Sequence, residues 1–108
     1  MRRNKYIGKA IELAAKSKCR HRHGCVVVKN GRIISMATNK KIGDPSIAWR
    51  TSHIHAEFGA IIAAGTQASG SHVYVARISA DGTPVSSKPC KKCESMLARS
   101  GVAKVVWT

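Results

Sequence analysis

His55, Glu57, Cys90 and Cys93 constrain what this chain can fold into more than any other residues: a His-Ala-Glu tripeptide is followed, some way downstream, by Pro-Cys-Lys-Lys-Cys. Two soft thiols, one imidazole and a carboxylate beside it are what a zinc site needs to keep one position open for water, with an acid–base group at hand. Any fold must therefore bring two distant segments together. Cys90 and Cys93 lie three apart, on one face of a helix, and Pro89 suits its first turn, where the positive end of the dipole favours thiolates. His55 opens a proline-free run rich in Ala and Ile that stops at Gly65, which reads as a buried helix over 55–64. Positions two apart do not share a helix face, so His55 and Glu57 converge only if His55 stands at the helix start. The alternative is a structural zinc knob, the Cys-x-x-Cys pair joined by ligands from His53, His55, Cys19 or Cys25. Such a knob has no need of a carboxylate beside its histidine.

The rest of the chain supplies elements to carry those two segments. Ile7, Ala10, Ile11, Ala14 and Ala15 recur with helical spacing, predicting an amphipathic helix over 4–18. A basic turn, Cys19-Arg20-His21-Arg22-His23-Gly24, follows it. Cys25–Val28 and Arg32–Ala37 are β-rich runs joined through Lys29-Asn30-Gly31, and Asn-Gly is a strong hairpin signal. Residues 39–54, with Gly43, Asp44 and Pro45, read as a loop. A strand is expected over His72–Ile78, a surface loop over Ser79–Lys88, a helix from Pro89 to Arg99 ended by Gly101, and a last strand over Val102–Trp107. Helices alternating with strands in the second half imply a layered α/β domain, a mixed sheet of about four strands with helices packed on it. The 108 residues suit a single domain over 1–108.

Charge limits the partners. Nineteen Lys and Arg stand against five Asp and Glu, a formal net charge of +14. Residues 1–50 hold 13 basic and 2 acidic side chains, so most of the excess is in that half. A field of that size raises the local concentration of polyanions, and the expected partner is nucleic acid or a phosphorylated substrate. The apolar stretches Ala60–Ala64 and Cys25–Val28 are far short of the roughly 20 residues that a membrane span requires. Ile7–Ala15, interrupted by Gly8, Lys9 and Glu12, lacks an apolar signal core, so a cytoplasmic location is expected. There thiols stay reduced, and Cys-x-x-Cys favours metal over disulfide.

With the tetrad in place, the chain resembles the cytidine and deoxycytidylate deaminase superfamily, whose signature is His-x-Glu followed by Pro-Cys-x-x-Cys. Ser17-Lys18-Cys19-x-x-Arg22-x-Gly24 and the run from Val26 to Ser35 are similar to the first helix end and hairpin of deoxycytidylate deaminases, as is Ala98–Val106 to their sequence after the second cysteine. The resemblance implies a cytidine-deaminase-like fold with Zn2+ held by His55, Cys90 and Cys93. It implies that Glu57 moves a proton from the attacking water to the ring nitrogen and on to the leaving ammonia. Ala56 would lend its backbone N–H to the base carbonyl, and Asn39 matches an asparagine that hydrogen-bonds the sugar, although it is equally a turn-forming residue. Trp49 and His53 precede the motif where a base could stack or the side chains could simply pack. Lys88, Lys91 and Lys92 surround the metal mouth and favour an anionic substrate. Superfamily members usually continue into a further strand and helix, so a bare sheet edge makes a homo-oligomer plausible. Some deoxycytidylate deaminases carry a second zinc where this chain has Cys19, His21, His23 and Cys25; two buried thiols in a basic turn are the alternative.

Several functions share this chemistry. Charge favours deamination of cytosine to uracil within single-stranded DNA or RNA, since one phosphate needs only two or three cations. The flanking sequence favours deamination of free deoxycytidine monophosphate. The reading leans to the polynucleotide. Adenosine deamination in transfer RNA uses the same tetrad, and a zinc-stabilised nucleic-acid-binding protein without turnover is the non-enzymatic alternative, which the presence of Glu57 disfavours. A small deaminase of this kind suits a phage or microbial genome.

Overall fold

The computed structural model describes residues 4–18, 21–42 and 52–108, with backbone pairing only for the short strands at 40–42 and 52–54. Helix α1 spans Lys5–Lys16, capped by Asn4, whose side chain accepts from the Tyr6 N–H at 2.8 Å. Its apolar stripe buries Ile7, Ala10 and Ala14, which fits the expected amphipathic pattern. Strands β1 (Arg22–Lys29) and β2 (Arg32–Thr38) form the expected hairpin. Lys29 pairs with Arg32, so Asn30 and Gly31 alone make the turn, both at positive φ (52° and 74°) as a type I′ turn demands. The strand begins earlier than its apolar run, because Arg22, His23 and Gly24 pair with Ile78, Arg77 and Ala76 of β5 (His72–Ile78).

The region expected as a loop over 39–54 contains a short antiparallel pair instead. β3 (Lys40–Ile42) and β4 (Ser52–Ile54) align Lys41 with His53. Three-residue arms carry no alternation for a sequence pattern to register, and their pairing comes from the chain's return. Helix α2 (Ala56–Ala64) ends at Gly65, φ 58°, and runs into a 3-10 turn over Gly65–Ala68. Beyond β5 lies the two-residue strand β6 (Pro84–Val85) within the expected surface loop. Helix α3 spans Lys91–Arg99, so Pro89 precedes the helix rather than sitting in its first turn; Cys90 takes the cap position in extended conformation. Gly101, φ 78°, ends it with N–H groups at 101 and 102 returning to the Ala98 and Leu97 carbonyls, a Schellman-type close. Strand β7 is Lys104–Trp107, two residues shorter than expected at its start because that close occupies the preceding residues.

The sheet is mixed and five-stranded. β1 is antiparallel to β2 on one side and to β5 on the other; β7 runs parallel to the first half of β5, and β6 pairs antiparallel with its end. Val26, Val28, Tyr74 and Ala76 pack against Ile7 and Ala10 on one face. Cys25, Val27, Val73 and Val75 pack against Ala56, Ala60, Ile61, Ala64 and Leu97 on the other. The result is three layers, α1 on one side and α2 with α3 on the other. A strand buried on both faces reads as a continuous apolar run, which is why Cys25–Val28 shows no alternation. Among the described residues no helix is long and apolar enough to cross a membrane.

Candidate metal centre

His55 stands one residue outside α2 as its N-cap, with φ −67° and ψ 147°; Cys90 holds the same position on α3, with φ −68° and ψ 165°. Serine or aspartate at such positions would turn back to bond the first-turn N–H groups. Neither His55 nor Cys90 does so. Imidazole and thiol are directed at one another instead, and Cys93, in the first turn of α3, joins them. The start of each helix is therefore built around the donor cluster, and the open N–H groups of both first turns make its surroundings electropositive.

The Nδ1 of His55 lies 3.3 Å from Cys93 Sγ and 3.9 Å from Cys90 Sγ, and all three donor atoms fall within 4.8 Å of one another. Tetrahedral zinc with bonds of about 2.3 Å to sulfur and 2.0–2.1 Å to nitrogen would hold sulfur and nitrogen about 3.6 Å apart. The two measured separations bracket that value. The donor set therefore fits zinc without rearrangement of either helix. His55 and Cys90 are exposed while Cys93 is buried, so one side of the cluster is open to an incoming molecule. Burial pushes the Cys93 thiol well up, and the neighbouring Glu57 carboxylate and Cys90 push it in the same direction. Only a cation in the cluster would make a thiolate favourable there.

Glu57 occupies the first turn of α2 and is 4% exposed. A carboxylate so withdrawn from water is costly unless nearby dipoles or hydrogen bonds hold it, and here the helix N-terminus does so. The site's other wall is fixed from the sheet. Ser35 on β2 donates to the Ala60 carbonyl at 2.7 Å, tying α2 down. Ser87, buried, donates to the Val75 carbonyl at 2.9 Å and accepts from the Thr108 N–H at 2.9 Å, while its own N–H donates to the Thr108 carbonyl. Those bonds anchor the strand of chain that presents Lys88, Pro89 and Cys90.

The structure brings His55, Glu57, Cys90 and Cys93 together, with Ala56 buried between the first two residues of the motif and Lys88 exposed beside Pro89. Asn39 lies just beyond β2: its Oδ1 accepts from Ser17 Oγ at 2.6 Å and from the His23 N–H at 3.0 Å, and its Nδ2 donates to the His21 carbonyl. Trp49 and Cys19, and the side chain of His53, lie outside the described residues. Among the described residues only His55, Cys90 and Cys93 form a metal-binding group; Cys25 is fully buried in the core under α2. Burial raises the Cys25 thiol, with Glu57 and Cys93 adding to the effect. Sequence reasoning named His23 only as a candidate ligand of a second zinc. It sits half-buried on β1 with its basicity lowered first by burial, and the charges of Glu57, Arg77 and His55 act on its ring.

Residues 1–108 match the family described as the cytidine and deoxycytidylate deaminase zinc-binding region. The chain belongs to that family. His55, Cys90 and Cys93 are the residues that fit the zinc of that family's binding region. The riboflavin biosynthesis protein RibD of Escherichia coli strain K12 is 32% identical over 109 residues, covering 94% of this chain and 25% of the relative. The chain thus spans about a quarter of the length of the curated relative that it matches. A dCMP deaminase from the cyanophage S-TIM5 superposes with TM-score 0.71 at 25% identity, covering 95% of this chain and 79% of the other. The diaminohydroxyphosphoribosylaminopyrimidine deaminase/5-amino-6-(5-phosphoribosylamino)uracil reductase of Thermotoga maritima superposes with TM-score 0.63 at 27% identity, covering 95% and 28%. The layered sheet and helices are accordingly a cytidine-deaminase-like fold.

Proposed function

We propose that this deaminase hydrolyses the exocyclic amine of an aminopyrimidine that carries a phosphorylated sugar. The observation that carries the reaction is the cluster of His55, Cys90 and Cys93 with the buried carboxylate of Glu57 beside it. Zinc bound by those three residues supplies a polarised water at its remaining position. Glu57, shielded from bulk water, accepts a proton from that water, passes it to the ring nitrogen next to the amine, and returns a proton to the departing ammonia. Water and amine become carbonyl and ammonia, with no other co-reactant. The N–H of Ala56, in the first turn of α2 with no acceptor inside the helix, would donate to a ring carbonyl.

Support for a phosphorylated sugar comes from two directions. The relatives' names combine a pyrimidine with a phosphate, as dCMP in one case and as a phosphoribosylaminopyrimidine in the other. This chain carries a net charge of +14, and Lys88, Lys91 and Lys92 are exposed around Cys90. A second reading, cytosine within single-stranded nucleic acid, is favoured by the 13 basic side chains of residues 1–50, more than one phosphate requires.

Product mass analysis tests both. Zinc-loaded protein and its Glu57→Ala variant would be offered dCMP, the phosphoribosylated diaminohydroxypyrimidine and a cytosine-containing DNA oligonucleotide. A gain of about 1 Da on a mononucleotide, absent with Glu57→Ala, is the expected result. A gain confined to the oligonucleotide replaces it with the second reading, and no gain on any of the three refutes pyrimidine deamination.

A further inference from the structure

On the sheet face that carries α2 lies a polar pair that proton transfer by Glu57 does not use. His23 on β1 lies directly opposite Arg77 on β5. The face that they occupy follows from their neighbours. A Cβ on Gly24 would sit 2.2 Å from the Ala10 carbonyl oxygen, so Gly24 faces α1, and His23 and Cys25 face the opposite layer. Val73 and Val75 pack with Ala56 and Ala60 of α2, and Arg77, two residues further along the same strand, continues that face. The pair thus sits on the α2 side of the sheet. It is also at the metal end of the sheet: Cys25, next to His23 on that face, packs in the cluster that contains Ala56, and the charges of both Glu57 and His55 act on His23.

Arg77 is half-buried, and no carboxylate lies within ion-pair distance of its guanidinium among the described residues. The chain has five acids to offer. Glu12 pairs with Lys9, and Asp81 accepts from Ser79 and from the Thr83 N–H. Glu57 and Glu94 form no ion pair among the described residues, and Asp44 lies outside them. His23, held by burial toward its neutral form and with Nδ1 3.3 Å from the His21 carbonyl, leaves Arg77 as the fixed charge of the pair. The backbone around Arg77 is rigidly held, its N–H donating to Thr108 Oγ1 at 3.2 Å and its residue paired with Val85. A planar guanidinium on a firm strand, partly withdrawn from water and lacking a carboxylate, is the group that best grips a phosphate through two parallel hydrogen bonds.

We propose that Arg77, with His23 beside it, is the specificity-determining anion subsite of this deaminase and selects substrates bearing a phosphate monoester over their unphosphorylated nucleosides. The inference rests on the aminopyrimidine reading above for its substrate and adds the residue that recognises the phosphate. It differs from the contribution of Lys88, Lys91 and Lys92, which are exposed and act as a screened, general attraction.

The test compares kcat/KM on dCMP and on deoxycytidine for the zinc-loaded protein, Arg77→Gln, Arg77→Lys and, as a charge control, Arg99→Ala at the exposed far end of α3. Loss of a charge-assisted bidentate contact should lower kcat/KM on dCMP by about 10- to 100-fold, chiefly through KM, with deoxycytidine unchanged. Arg77→Lys, which keeps the charge without the fork, should fall between, and Arg99→Ala should keep the wild-type preference. Calorimetric binding of dCMP and deoxycytidine to zinc-loaded Glu57→Ala protein, with and without Arg77→Gln, separates this inference from the reaction itself. Tighter binding of dCMP that disappears with Arg77→Gln supports the subsite even if no turnover is seen. Equal losses on both ligands, unchanged preference in both Arg77 variants, or no preference for dCMP in the parent overturns it. Should Arg77→Gln fail to fold, Arg77→Lys decides by the same criteria.

Discussion

Replacing Gly24 with alanine should damage this protein more than its two added hydrogens and one carbon suggest. The new methyl would lie 2.2 Å from the Ala10 carbonyl oxygen, 2.6 Å from the Ala14 nitrogen and 2.8 Å from Leu13 Cβ. Two of those atoms are backbone of α1, so no side-chain rotation relieves the overlap. Restoring ordinary contact near 3.4 Å requires α1 to lift by roughly 1 Å from β1, loosening Ile7, Ala10 and Ala14 together. Overpacking of this kind costs about 3 kcal/mol, the upper part of its usual range. For a domain of this length, that corresponds to a fall in Tm of about 12–24 °C. The counterpart is Gly8→Ala on the same helix, where nothing lies within 4 Å of the added carbon. Relief of the glycine penalty in a helix should there raise stability by about 0.5–1 kcal/mol. Thermal unfolding followed by circular dichroism at fixed zinc measures both. A fall of less than about 4 °C for Gly24→Ala, or shifts of the same sign in the two variants, would refute the close approach of α1 to β1.

Zinc affinity should rise with pH, because the Cys93 thiol, raised by burial and by Glu57, must give up its proton to bind the metal; calorimetry in buffers of different ionisation enthalpy should show proton release, and pH-independent binding would contradict it. Cys93→Ser should abolish stoichiometric zinc retention after dialysis, measured by atomic absorption. Ser87→Ala removes bonds to the Val75 carbonyl and from the Thr108 N–H and should cost about 1–2 kcal/mol in denaturant unfolding, with zinc retention weakened because Cys90 follows three residues on. Asp81 is held down to about 2 from 3.8 by hydrogen bonds from Ser79 and Thr83. Its contribution is complete above pH 3.8 and is lost as the pH falls toward 2, so Asp81→Asn should flatten the acid limb of stability over that interval; an unaltered limb would show that the loop contributes nothing there.

Wherever a local rule acts on adjacent residues, the sequence was readable. Asn30-Gly31 demanded positive φ twice and received it, and Gly65 and Gly101 close α2 and α3 as their position after apolar runs implied. The metal donors were legible because their chemistry is rare and their spacing short within each half. Their meeting depended on His55 being a cap, a matter of one residue's backbone that periodicity does not register. Long-range pairing was hidden for the same reason. Arg22–Gly24 read as the end of a basic turn because charge outweighs β-propensity there, yet β5 draws all three into the sheet and β2 pairs with Gly24 as well. The facing of His23 and Arg77 is likewise a product of register, which no spacing along the chain reports. Asn39 had two readings from sequence, a sugar contact and a turn former, and its bonds to Ser17, His21 and His23 join the end of α1 to β1.

The two cap positions also tie the metal to the motions of the fold. A helix whose cap residue serves an ion has no side chain of its own closing its first turn, and here that holds for α2 and α3 alike. Chelation should therefore release the opening turns of both helices at once, although they are far apart along the chain. In hydrogen-exchange experiments the amides that begin α2 and α3 would gain exchange rate together, as a single cooperative unit, while those of β1 and β5 between the layers keep their protection. The ion then defines a folding unit that the covalent order of the chain does not.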